Sequence, residues 1–217
     1  MSMAVDLVRF FHLVGLALGF GLAIYADARF MRSLQRPTGA ADLAALRQIH
    51  GFVAAALIVL WVSGLTLLAL RTGFDPAAIS DKLRVKLCLA TLLTVNAVMI
   101  GRVALPMMER AGGLAFAALP LQSRCLLAMI GGASAASWAG LMALGVFGVF
   151  KTMAFVEIAA LLSLGFVVSF TGALTLAVLA PYLQAGMGGV FRLLPAALFA
   201  AAPLHRRRDE QCATSQG

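Results

Sequence analysis

Long uncharged apolar runs recur along the chain at a nearly even spacing, with short polar breaks between them. A hydrocarbon core about 30 Å thick takes roughly 20 helical residues to cross, and in lipid a helix meets its backbone hydrogen bonds within its own segment. Five runs qualify: Leu7 to Ala26, Ile49 to Leu70, Val85 to Met108, Cys125 to Phe150 and Met153 to Ala180. The breaks read as turns, at Gln35-Arg36-Pro37-Thr38-Gly39, at Arg71 to Pro76, and from Arg110-Ala111-Gly112-Gly113 onward. Links this short make neighbouring helices antiparallel. The pattern therefore predicts an all-α polytopic transmembrane helix bundle of about five spans over residues 1–187. Thr38 to Ile49 adds helix ahead of the second span, and Leu114 to Ala118 is too short to cross. Residues 188–205 are apolar but carry Arg192 and Pro195, and read as a short apolar or interfacial helix; 206–217 read as a polar cytoplasmic tail.

Composition agrees with that pattern. The chain is 62% hydrophobic and 12% charged, with a mean hydropathy of +0.96, whereas a soluble domain is roughly 45–50% apolar and 25% charged. A soluble fold has no way to hide so much apolar surface. The net charge of +8 does not point to nucleic acid, because the basic residues sit at the ends of apolar runs, where they meet anionic headgroups and report topology. With the N-terminus outside and the C-terminus inside, the cytoplasmic side holds most of the Lys and Arg, including Arg29, Arg32, Arg36, Arg47, Arg110 and Arg124; fewer lie outside, among them Arg9, Arg71, Lys82, Arg84 and Lys151. A sixth span would carry Arg206 to Arg208 outside and erase that bias. Ala26-Asp27-Ala28 matches a signal-peptidase pattern, but Asp6 offsets Arg9 and Arg29 follows at once, so the first helix is expected to be retained. Cys88, Cys125 and Cys212 are odd in number and lack metal-site spacing.

Small residues spaced by four mark faces where helices approach closely in lipid. Such stripes run through Gly15, Gly19 and Ala23, through Gly132, Ala136 and Gly140, and through Gly165, Ser169 and Ala173. They predict contact within the bundle ahead of dimerisation.

Ionisable groups at membrane depth are costly, so each is a site candidate. Across an antiparallel hairpin, facing residues have numbers that sum to a constant. With turn centres near Pro37, Pro76, Ala115 and Lys151, His12 lies level with Val62, Leu89, Met142 and Ala160. His12, Lys86, Cys88 and Glu157 then share one buried polar layer about a third of the way in from the outer face, with Asp6, Arg9, Arg84 and Lys151 just above. His50 falls near the inner surface, about 20 Å away along the membrane normal, too far to share a haem with His12. Asn96, Ser134, Ser137 and Trp138 lie nearer mid-membrane. Glu157 with Lys86 or Arg9 reads first as a structural ion pair. His12 reads equally as a helix-contact residue or as a ligand or proton carrier. Cys88 reads first as a small hydrophobe beside a soft-metal alternative, and His50 as interfacial.

The segment Arg9-Phe10-Phe11-His12-Leu13 with its following glycines, and a later helix opening Lys82-Leu83-Arg84-Val85-Lys86-Leu87, resemble copper-resistance D-type membrane domains and HemJ-type protoporphyrinogen oxidases. Related families without an assigned activity share the layout. The resemblance covers the first half of the chain and implies a bacterial plasma membrane location, with haem b or copper as the cofactor in question and His12 as a ligand. HemJ-type proteins carry a second histidine in the helix after the Lys-Leu entry, where this chain has Asn96 and Arg102, so His12 alone is carried across. Three function classes follow. The leading one is an inner-membrane protein without enzymatic chemistry, structural or handling a small solute or metal. The others are a haem- or copper-linked redox protein using His12, and a proton-coupled carrier using Glu157 and His12. Five spans are few for a carrier acting as a monomer, which raises a homodimer alongside the lipid bilayer as partner.

Overall fold

In the computed structural model, residues 3–33 and 37–193 are described. They form α1 (Met3–Ser33), α2 (Ala40–Thr72), α3 (Asp81–Met99), a five-residue π-turn (Ile100–Ala104), α4 (Leu105–Arg110), α5 (Leu121–Val146) and α6 (Phe155–Leu193). The described residues contain no strand. Five helical stretches are long and apolar enough to cross a membrane: Met3–Arg32, Ala40–Thr72, Asp81–Arg110, Leu121–Val146 and Phe155–Leu183. The fold is thus an all-α bundle of about five spans, and large apolar side chains such as Phe10, Leu18, Ile58, Val62, Leu164 and Val168 lie exposed on its outside. The chain divides into a unit of residues 1–181, which holds the spans, and a unit of residues 182–217. The predicted tail at 206–217, and residues 194–205 of the predicted interfacial helix, lie outside the described residues.

Each turn has a local cause. Gly73 ends α2 with φ +57° and donates its N–H to the Ala69 carbonyl, a left-handed cap that glycine adopts without strain. Asp75 then accepts from the Ala77 N–H at 2.9 Å, starting a 3-10 turn at Pro76–Ala78. Gly113, at φ +85°, passes close to the Thr38 carbonyl, where a Cβ would sit 3.3 Å from the oxygen. The first turn of α6 is capped from two sides: the Ala154 N–H donates to Glu157 at 2.9 Å, and the Phe155 N–H donates to Asp81 of α3 at 3.1 Å. The fourth span starts and ends four residues earlier than its apolar run predicts, because the backbone turns extended at Phe147 and forms a 3-10 turn at Gly148–Lys151. The π-turn precedes Pro106, which has no N–H for the Arg102 carbonyl and whose ring crowds it; the wider turn accommodates both.

α1 packs along α2, α3 along α5, and α5 also meets α1. α5 is the inner helix: Ser137, Trp138 and Leu144 are fully buried. The close-approach stripes hold on the first and fourth spans. Gly15 lies against Val59 and Ala56, and Gly132 against Ala173 and Ser169, whose hydroxyl donates to the Gly132 carbonyl at 2.8 Å. Gly165 departs from expectation: it faces open space, so the contact stripe of α6 is Ser169 and Ala173 alone. At mid-bundle Trp138 lies over Gly19, with Leu57, Leu93, Ala23 and Ala97 around it. A Cβ at Gly19 would come within 2.4 Å of the indole.

Because the indole is enclosed, Gly19→Ala should destabilise the detergent-solubilised protein by about 1–3 kcal/mol through overpacking. Gly21→Ala, which meets nothing within 4 Å, should not. Denaturant unfolding of the two variants side by side checks this; equal midpoints would contradict the packing described.

Candidate functional site

His12 projects from α1 onto α2, where its Cε1–Nδ1 edge rests on Gly64. Its Nδ1 lies 3.0 Å from Ser63 Oγ. The facing pair is one residue from the Val62 level given by the hairpin arithmetic. Ser63 has a single hydroxyl proton, and its Oγ sits 2.5 Å from the Val59 carbonyl, to which it donates. Toward His12 the hydroxyl is therefore an acceptor, so Nδ1 carries the imidazole proton and Nε2 keeps a lone pair. This assignment follows from the hydrogen-bond network.

His12 and Lys86 line one cavity of about 250 Å³ between α1, α2, α3 and α5. Leu13, Leu16, Leu57, Leu60, Leu65, Leu68, Leu83 and Leu87 supply most of its wall. Trp61 also lines it, but its indole N–H is engaged with Thr94 Oγ1 at 2.9 Å. Two ionisable side chains, His12 and Lys86, are left in the wall of an otherwise apolar chamber. The cations closest in effect to Lys86 are Lys82 and Arg71, and Lys82 donates to the Phe147 carbonyl at 3.1 Å. The carboxylates at this end are already engaged: Asp6 with Arg9, Asp81 with Arg84 and the α6 cap, Asp75 with Ala77, and Glu157 with Ala154. Among the described residues no carboxylate pairs with Lys86.

Two members of the expected polar layer lie elsewhere. Cys88 is exposed on the outside of α3. It is two residues from Lys86, about 200° around the helix, so the two cannot face one cavity. Glu157 is exposed and spent on its own helix terminus. Antiparallel arithmetic orders residues by depth but ignores that Glu157 stands in the first turn of its helix, where free N–H groups claim a carboxylate. Arg124, expected as an interfacial topology signal, is instead buried in the first turn of α5, and its Nε and Nη1 have no partner among the described residues. Asn96 is buried and donates to the Ile130 carbonyl at 3.1 Å, and Ser137 donates to Ala133 at 2.7 Å; both are spent on helix contacts. Ser63, Trp61 and Gly64 were not singled out in the sequence, although the hairpin sum placed their stretch opposite His12.

Among the described residues no three His, Cys, Asp or Glu side chains converge as a metal site. With Cys88 turned outward, the cavity offers one imidazole, which does not fit copper. For haem, His12 offers one nitrogen to the iron, but a cavity of about 250 Å³ is too small for the macrocycle. No family model matches this sequence, and comparisons with curated proteins and with solved structures find no match.

Ser63→Ala removes the acceptor that fixes the ring. In ¹⁵N spectra of labelled protein at a pH where His12 is neutral, the parent should show Nδ1 protonated and Nε2 bare, and the variant should shift population toward the Nε2–H form. An unchanged pattern would show that Ser63 does not set the tautomer.

Proposed function

We propose that this chain is a bacterial plasma-membrane protein, N-terminus outside, that holds a small lipophilic molecule with an acidic head in the His12–Lys86 cavity, and so handles a solute without catalysing a reaction. The observation that carries this reading is an ammonium without a carboxylate partner among the described residues, set in an otherwise leucine-walled chamber. A buried cation demands an anion, and the chamber wall demands an apolar body. Lys86 holds the charged head, and His12, with its Nδ1 tied to Ser63, favours a ligand that carries a hydroxyl beside the acid. Lys82 and Arg71, whose charges act on Lys86, add to the attraction for an anion.

The size follows from packing. A cavity of about 150 Å³ holds the six heavy atoms of benzene, so one of about 250 Å³ takes about ten. Octanoate has that size. The haem-linked reading keeps one imidazole but not the room for a macrocycle. The proton-carrier reading loses its acid, because Glu157 caps α6 away from the cavity.

Protein in discs of zwitterionic lipid should retain labelled octanoate in excess over empty discs, and should bind octanamide at least 10-fold more weakly. Lys86→Met should abolish that preference for the charged head. Equal binding of acid and amide by the parent protein would overturn the proposal, and a Soret band lost in His12→Ala would favour the haem-linked reading.

A further inference from the structure

A second cavity, of about 120 Å³, lies at the other end of the bundle and has the opposite chemistry. Asp27 of α1, His50 of α2 and Ser134 of α5 line it. None of the three side chains has a hydrogen-bond or ion-pair partner among the described residues. Of the basic residues at this end, Arg29 bonds Asp42 at 2.6 Å and stacks on Tyr25, Arg47 pairs with Glu109, and Arg124, buried one turn before Leu127, does not line the cavity. The remaining wall is apolar, with Phe30, Val53, Ile100 and Leu127 among its residues.

The π-turn builds one side of this cavity. It brings Gly101 against His50, so closely that a Cβ there would lie 2.9 Å from Nε2. Single π-turns inside α-helices recur at functional sites. Between the two cavities stands the layer of Trp138, Leu57 and Leu93.

We propose that this second cavity binds a small primary alkylammonium ion. An ammonium head offers three N–H donors and no acceptor. The cavity offers three groups that can accept: the Asp27 carboxylate, a His50 ring nitrogen and the Ser134 hydroxyl. The carboxylate supplies the counter-charge, and the apolar wall takes the tail. By the benzene comparison the volume suits about five heavy atoms, which is the size of butylammonium. A neutral molecule of that shape leaves the carboxylate without its counter-ion.

Calorimetric titration of the full chain in zwitterionic-lipid discs, with butylammonium chloride against empty-disc blanks, tests this. Saturable one-site binding is expected, with 1-butanol showing none. Asp27→Asn should weaken the affinity at least 30-fold and Ser134→Ala about 3–10-fold, while Lys86→Met leaves it unchanged. No saturable heat with the parent protein, or equal binding of butanol, would overturn the proposal. That comparison on the unaltered chain holds whether or not the Asp27 variant folds. Tighter binding in Lys86→Met would also overturn it, by locating the amine in the first cavity, where the Lys86 ammonium repels it.

Discussion

The bundle depends on one close approach, the seating of the Trp138 indole on Gly19. Helices in lipid gain no hydrophobic free energy from meeting one another, so their association rests on van der Waals fit and on a few hydrogen bonds. A residue without a side chain on α1 and the largest side chain on α5 supply that fit at mid-bundle. Leu57 of α2 and Leu93 of α3 close around the same ring. The indole N–H has no partner among the described residues, which shows that packing, and not hydrogen bonding, places the ring.

That apolar layer sorts the polar side chains into two groups. On one side are His12 and Lys86, with cations in excess; on the other are Asp27, His50 and Ser134, with a carboxylate in excess. Neither group can neutralise the other through the Trp138 layer. The two proposed ligands differ in sign for that reason.

Much of the architecture was readable from residue order. Run length gave the spans, since lipid forces an apolar segment of that length to satisfy its own backbone. Counting back from turns placed His12 level with Val62, one residue from its partner Ser63. Azimuth was harder to read. Which way Cys88 and Glu157 point depends on helix rotation and on claims made by nearby helix ends, neither of which an apolar sequence encodes, because its faces are alike. Gly165 failed as a contact residue for the same reason: spacing by four names a stripe but not the neighbour it meets. The second cavity was missed because Asp27 stood out only as part of a processing pattern, and because Pro106 signals a disturbed helix without saying which residue absorbs the disturbance.

The π-turn at Ile100–Ala104 also changes what α3 and α4 can do as one span. One residue beyond the regular repeat shifts the helical phase by about 100°. The portion before the turn, with Leu89, Leu93 and Asn96, keeps its inward side toward α5, and the portion after it meets α2. A single membrane crossing thus serves two different neighbours with two different faces. Removing one residue there would realign the halves and force the span to give up one of those partnerships.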